Sequence, residues 1–191
     1  AKAAALKKEG FKRPAIMAFN NDAAIKNVGF FKKTWEADGG KIVESVVYEP
    51  KRTSYRSELQ KVLAAKPDVI ALSGYLPDTT TILREAYELG ATATFIIPAW
   101  AAAPALLKAL GPEVSQGVLV YGTVPNTAGA AFKTYSEQYK KAFNTSGEEN
   151  VFAAQAYDMV ISLALAIEKA GASADNLAIA KAIREVANPD G

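Results

Sequence analysis

Apolar runs and amphipathic segments alternate along the first two thirds of the chain. Four of the runs are continuously apolar and too short for a helix, which is typical of strands covered on both faces of a parallel sheet. With one further strand, they lie at 13–19, 41–48, 68–73, 94–98 and 117–124. The segments between them have helical periodicity and are bounded by cap-type residues and glycines. The pattern predicts an α/β fold with a doubly wound, five-stranded parallel sheet and right-handed crossovers.

The last third of the chain has a different pattern and contains helical segments only. These segments lie at 128–143, 151–170 and 174–186. The second of them is apolar on most of its circumference, so it must be buried between layers. No strand of this chain is left for it to cover. We therefore interpret the chain as a fragment, in which the final helices belong to a sheet that is absent.

Large side chains on the helix after the first strand and in the loop after the second strand are expected to differ in role. Phe30, Phe31 and Trp35 recur at helical spacing and are predicted to lie in the core. Arg52 and Tyr55 follow the second strand, where they either contact a ligand or are ordinary surface residues.

Composition narrows the chemistry that the chain can perform. Its 191 residues are 50% hydrophobic and 22% charged with a net charge of +2, an ordinary globular balance that does not favour a nucleic-acid partner. The absence of cysteine and histidine removes disulfides, thiolate metal sites and the commonest general base. No phosphate-binding glycine loop or GxSxG elbow is present. We predict no cofactor and no metal, and an enzyme is a distant alternative.

Polar and aromatic residues lie at the carboxyl ends of all five predicted strands. The carboxyl ends of parallel strands gather at one edge of a sheet, where ligands bind in open α/β folds. Tyrosine and tryptophan offer apolar area with a polar group, which suits a small organic ligand. The candidate ligand-binding residues are Asn21, Asp22, Ser73, Gly74, Tyr75, Ala99, Trp100 and Tyr121. The alternatives are helix capping by the first two residues and closure of the sheet edge by the aromatic side chains.

Three segments resemble a known family. They are "RPAIMAFNND", "KPDVIALSGYLPD" with "LREAYELG", and "NVFAAQAYDMVISLALAIEKAG". In order and spacing they are similar to the periplasmic substrate-binding proteins of ABC importers of the branched-chain amino acid type. The resemblance covers essentially the whole chain, and it implies a two-lobed type I fold that traps a ligand by hinge closure.

The resemblance also implies a domain organisation and a location. Residues 1–124 correspond to the second ligand-binding lobe, and 125–191 to the crossover and helices of the first lobe, whose sheet is absent. An export signal upstream and a periplasmic location are expected. The expected partners are a small-molecule ligand and the membrane permease and ATPase subunits of the importer.

Residue by residue, the resemblance suggests which solute is bound. Tyr75 matches the tyrosine that such proteins present to the ligand, and Asp22 the acidic residue after the first strand. Ala99 stands where amino-acid binders commonly have a carboxylate that meets the ligand ammonium group. An unpaired ammonium group is costly, so an aromatic or hydrophobic carboxylate is favoured over an amino acid.

A regulator provides the alternative function. The effector-binding domain of a transcription regulator shares this fold, and it would carry a DNA-binding headpiece upstream. An export signal upstream would instead favour the transporter.

Overall fold

The computed structural model describes residues 2–122, 126–147, 152–171 and 173–187. The chain divides into two compact units, the first ending at Gly122 and the second beginning at Thr123. Within the described residues, no helix is both long and apolar enough to cross a bilayer.

A five-stranded sheet forms the centre of the first unit. Its strands are β1 (Pro14–Phe19), β2 (Glu44–Tyr48), β3 (Val69–Ser73), β4 (Thr94–Pro98) and β5 (Leu119–Tyr121). They are arranged in the order β2-β1-β3-β4-β5, and every neighbouring pair is parallel. Strand β1 is central, with Ile16 aligned with Ser45 on one side and Ala71 on the other. The predicted fold class is confirmed.

Helices cover both faces of this sheet. They are α1 (Lys2–Lys8), α2 (Asp22–Ala37), α3 (Arg56–Ala64), α4 (Leu76–Glu88), α5 (Pro104–Leu110) and α6 (Pro112–Ser115), with a 3₁₀ turn at Ala99–Ala101. Helices α1 and α2 pack on one face of the sheet, and α3, α4 and α5 pack on the other. The helix that follows β1 therefore lies on one face of the sheet, and the helices that follow β2, β3 and β4 lie on the other. The change of face falls between the neighbouring strands β1 and β3.

The aromatic residues of α2 separate into core and surface. Phe31 and Trp35 are buried against the sheet, as predicted. The prediction for Phe30 is wrong, because 71% of its side chain is exposed. One residue along a helix turns a side chain by about 100°, which takes Phe30 off the stripe that contains Val28, Phe31 and Trp35.

Some element boundaries differ from the predictions. Strand β2 begins at Glu44 and not at residue 41, and β5 begins at Leu119 and not at residue 117. Helix α3 begins after Tyr55, with Arg56 N–H donating to Ser54 Oγ at 3.3 Å. The predicted strand end at Val124, the crossover at Pro125 and the helix start at Val151 lie outside the described residues.

The second unit contains α7 (Ala130–Phe143), α8 (Ala153–Ala170) and α9 (Asn176–Ala187). Tyr135 is buried among aromatic rings, and its hydroxyl donates to Gly147 O. Lys169 and Glu185 pair at 2.9 Å between α8 and α9. The larger apolar side chains of α8 stay exposed, each by more than two fifths: Met159, Val160, Ile161, Leu163, Leu165 and Ile167. The burial that its sequence requires is not provided by the described residues.

Candidate functional site

The order of the strands predicts a crevice at the carboxyl ends of β1 and β3. Helix α2, which follows β1, and helix α4, which follows β3, lie on opposite faces of the sheet. Their two connections therefore separate, and such a switch point is where open α/β sheets bind ligands. Residues 20–21 and 74–75 form these two connections.

Tyr75 lies at the crevice and is 47% exposed. It is the residue before α4, with extended backbone angles. Its ring packs edge-on against Phe19, with the ring centroids 5.2 Å apart. The hydroxyl makes no hydrogen bond to any described residue. Tyr75 thus offers both an aromatic surface and a free hydroxyl group.

Trp100 is held by the connection that precedes Tyr75. Its indole Nε1–H donates to Gly74 O at 3.1 Å, and its ring meets that of Tyr121 edge-on at 6.3 Å. The polar group of the indole is therefore engaged within the protein, and the ring surface is what remains for a solute. The structure brings Trp100 to the same edge as Ser73 and Gly74, which are both buried.

Asn21 and Asp22 lie where α2 begins. Asn21 Oδ1 accepts the N–H of Ala24 at 2.7 Å, which is N-terminal capping. Asp22 is exposed in the first turn, where a carboxylate stabilises the helix dipole. The capping interpretation is therefore satisfied for Asn21.

Ala99 and Tyr121 lie at the ends of β4 and β5. A side chain on Gly122 would lie 2.6 Å from the Cβ of Ala99, so the two connections approach closely. The Tyr121 hydroxyl donates to Asn27 Oδ1 at 2.7 Å, and burial raises the pKa of Tyr121 to about 12. Like the indole of Trp100, this hydroxyl is already engaged within the protein.

Lys2 is a neighbour of Tyr121 that sequence reasoning missed. Its ammonium group lies 4.0 Å from the centroid of the Tyr121 ring and 4.8 Å from that of Phe31. It also donates to Asn27 Oδ1 at 3.4 Å. Burial lowers the pKa of Lys2 from 10.5 to about 8. The sequence gives one indication that Lys2 is partly buried. Lys2 is adjacent to Ala3 and one helical turn from Leu6, the two residues of α1 that pack on the sheet.

The pKa of Lys2 gives a prediction about stability. The unfolded chain keeps the Lys2 proton up to a higher pH than the folded chain does, so the free energy of unfolding should rise between pH 8 and pH 10. Above pH 10 the raised pKa values of Tyr55 and Tyr121 act in the opposite direction. Urea unfolding at pH 8, 9 and 10 measures the slope. Lys2→Met should abolish the rise of the unfolding free energy with pH. The control variant Lys33→Met should retain it. An equal slope of unfolding free energy against pH in both variants would show that Lys2 is not the group responsible.

Tyr55 belongs to a buried hydrogen-bond network and is not available to a ligand at the carboxyl edge of the sheet. It is fully buried, and its hydroxyl donates to Asp78 Oδ1 at 2.6 Å. The N–H of Lys51 reaches the same oxygen at 3.2 Å. Glu85 accepts the N–H of Tyr55 at 2.7 Å. Arg52 is exposed and pairs with Glu58, so the surface interpretation holds for Arg52 and neither interpretation holds for Tyr55.

The edge as a whole combines aromatic surface with few free polar groups. Asn20, Asp22 and Glu49 are exposed at this edge, and the Asn20 side-chain amide donates to Glu49 Oε1 at 2.5 Å. Within the described ranges, no cluster of three metal-ligating side chains was found. The arrangement suits non-covalent binding of a small, partly apolar solute.

Comparison with known proteins identifies a family that the chain matches over its whole length. The sequence model of the family described as "Periplasmic binding protein" matches residues 1–191. The Leu/Ile/Val-binding protein BraC3 of Rhizobium johnstonii is 28% identical over 181 residues, which are 91% of this chain and 46% of that protein. This chain thus spans about half the length of that relative.

Solved structures show the same fold. The leucine-binding protein LivK of Thermotoga maritima is 29% identical, with a TM-score of 0.82 over 96% of this chain and 52% of that one. A solute-binding protein from R. palustris, solved in complex with benzoate, is 19% identical, with a TM-score of 0.73 over 97% of this chain and 49% of that one. The resemblance seen in the sequence is confirmed, and the chain belongs to the periplasmic binding protein family.

Proposed function

We propose that the chain is part of the extracytoplasmic solute-binding component of an ABC importer. The observation that carries this proposal is Tyr75, half exposed with a free hydroxyl at the β1–β3 switch point. The names of the relatives support the same activity. Its partners would be a permease and an ATPase in the membrane, and its location the periplasm. Relatives with this role bind solutes and do not transform them, so we propose no catalytic residue.

The proposed solute is an aromatic or hydrophobic carboxylate. Ala99 and Trp100 support this choice, because they add an indole surface where a carboxylate for an ammonium group would otherwise stand. The fold itself holds either class of solute, since it occurs in a leucine-binding protein and in a complex with benzoate. The identity of the solute therefore depends on the side chains at this edge.

Calorimetric titration of the natural-length protein tests the solute class. We expect benzoate or phenylacetate to bind at least roughly tenfold more tightly than L-leucine, because the edge gives an ammonium group no buried anion. Phenylalanine serves as the matched control, since it adds an ammonium group to an aromatic carboxylate. Tight binding of leucine without detectable binding of the aromatic acids would contradict the proposal. It would show that another residue supplies an anion for the ammonium group.

We also propose that the two units belong to different lobes. The first unit would be one complete lobe, and α7, α8 and α9 would pack on a sheet supplied by the rest of the natural-length protein. The exposure of Leu163, Leu165 and Ile167 supports this, because such a cluster is unfavourable in water. Hydrogen exchange should show slower exchange for α8 in the natural-length protein than in this chain. Equal protection in both would contradict the lobe assignment.

A further inference from the structure

Gly74 lies against a buried hydroxyl that leaves no room for a side chain. A Cβ atom added to Gly74 would overlap Tyr48 Oη, and it would lie 3.2 Å from Thr79 Oγ1 and 3.6 Å from Tyr48 Cζ. The Tyr48 ring is 1% exposed, and it meets the rings of Phe19 and Tyr55 edge-on. A buried ring held in this way cannot swing aside, so the Tyr48 hydroxyl fills the volume that a side chain at position 74 would need.

Stability alone does not account for this hydroxyl. Tyr48 Oη is buried and has no hydrogen-bond partner within the described part of the chain, and the same holds for Thr79 Oγ1. A buried donor without a partner is unfavourable, and phenylalanine would fill the same ring volume without it. The hydroxyl of Tyr55, whose ring centroid is 5.0 Å away, differs because it donates to Asp78.

The residue that Tyr48 supports is the one before Tyr75. On its other side, Gly74 is fixed by the indole N–H of Trp100, which donates to the Gly74 carbonyl oxygen at 3.1 Å. The Phe19 ring packs edge-on against the rings of both Tyr48 and Tyr75, with centroid distances of 6.2 Å and 5.2 Å. The backbone from Gly74 to Tyr75 is therefore held between a hydroxyl, an indole and a phenyl ring.

We infer that Tyr48 is a positioning residue whose hydroxyl, by occupying the side-chain volume of Gly74, sets the place of Tyr75 at the solute edge. This inference rests on the proposed function in one respect, namely that Tyr75 contacts the solute. A binding site loses affinity when its contact residues are held loosely, even if every contact residue is present. Without the hydroxyl, the Gly74 backbone can move into the space that the hydroxyl leaves.

A spectroscopic experiment tests the positioning without any solute. Trp35 and Trp100 are the two tryptophans of the chain, so the indole N–H region of a proton–nitrogen spectrum contains two resonances. Tyr48→Phe should shift the Trp100 resonance, because its acceptor is the Gly74 carbonyl, and leave the Trp35 resonance in place. Tyr55→Phe is the matched control, with the same atom removed from the neighbouring ring. An unchanged Trp100 resonance in Tyr48→Phe would overturn the inference.

A volume exchange provides the second test. Gly74→Ala alone should lower the unfolding midpoint and shift the Trp100 resonance, since the new methyl group overlaps Tyr48 Oη. In Gly74→Ala with Tyr48→Phe the methyl group replaces the hydroxyl, and both readouts should return toward those of the natural protein. If the double variant has the same unfolding midpoint and the same Trp100 resonance as Gly74→Ala, the hydroxyl does not fill this volume and the inference is wrong.

Titrations with benzoate and with L-leucine connect the positioning to binding. In the natural-length protein, Tyr48→Phe should weaken the binding of the solute that binds more tightly by roughly threefold to tenfold, with an unfolding midpoint equal to or above that of the natural protein. Tyr55→Phe should do the reverse, lowering the midpoint and leaving the affinity unchanged.

The outcomes separate this inference from the proposed function. If Tyr75→Ala weakens binding and Tyr48→Phe does not, the positioning role is wrong and the proposed site stands. If Tyr75→Ala has no effect, the proposed site is wrong, and the Trp100 resonance still decides whether Tyr48 positions the turn.

Discussion

Replacing Tyr75 with alanine should weaken solute binding in the natural-length protein by roughly 1–3 kcal/mol, which is about a fivefold to 150-fold rise in Kd. The substitution removes an aromatic surface and a hydroxyl that makes no hydrogen bond to a described residue. Because Tyr75 is half exposed without solute, the folded state loses little when it is truncated. Calorimetric titration with benzoate and L-leucine measures the loss, and thermal unfolding without solute checks that the fold is intact.

Tyr87 is the matched control for this prediction. It is similarly exposed, but it lies in the last turn of α4, whereas Tyr75 directly precedes the first turn of that helix at the carboxyl edge of the sheet. Tyr87→Ala should leave the affinity unchanged. Equal affinities for Tyr75→Ala and the natural protein would move the binding site away from this crevice.

Replacing Asp78 with alanine should lower the free energy of unfolding by about 3 kcal/mol. Its buried carboxylate accepts the Tyr55 hydroxyl at 2.6 Å and the Lys51 N–H at 3.2 Å. The substitution leaves two donors without their acceptor, and one of them is fully buried with Tyr55. Lys51 has a left-handed backbone conformation, with φ of 58°, which the hydrogen bond to Asp78 helps to hold. Urea unfolding monitored by circular dichroism measures the change.

Asp38 is a suitable control for the Asp78 substitution. Its carboxylate pairs with Lys7 at 3.1 Å, but its side chain is 61% exposed. Exposed ion pairs contribute about 1 kcal/mol or less, so Asp38→Ala should have a small effect. A loss as large as that of Asp78→Ala would show that burial is not what makes the Asp78 network stabilising.

The sequence predicts the sheet well because the relevant physics is local. Continuous apolar runs such as Val69–Ser73 identify strands covered on both faces, and the helices between them require parallel crossovers. The prediction for Phe30 failed because three aromatic residues within six positions cannot all lie on one stripe. The start of α3 was misplaced because Thr53 and Ser54 are both residues that favour N-caps.

The candidate site was only partly predictable, because its contacts join residues far apart in the chain. The sequence placed Ser73, Tyr75 and Trp100 at one edge, since strand ends of a parallel sheet share an edge. It could not indicate that the Trp100 indole donates to Gly74 or that the Tyr48 hydroxyl lies against Gly74. These contacts depend on the strand order, which a pattern of apolar and polar positions does not specify. The role of the eight candidate residues in solute binding stays a prediction.

The central position of β1 also affects the time course of synthesis. The two strands that pair with β1, namely β2 and β3, are synthesised after it, and β3 is complete only once Ser73 has been added. At about 5–20 residues per second, a ribosome needs roughly 3–10 s to add the chain between the end of β1 and the end of β3. Throughout that interval the apolar strand Pro14–Phe19 lacks a hydrogen-bonded neighbour on at least one edge. Nascent chains in this window should therefore be the ones that general chaperones bind most strongly.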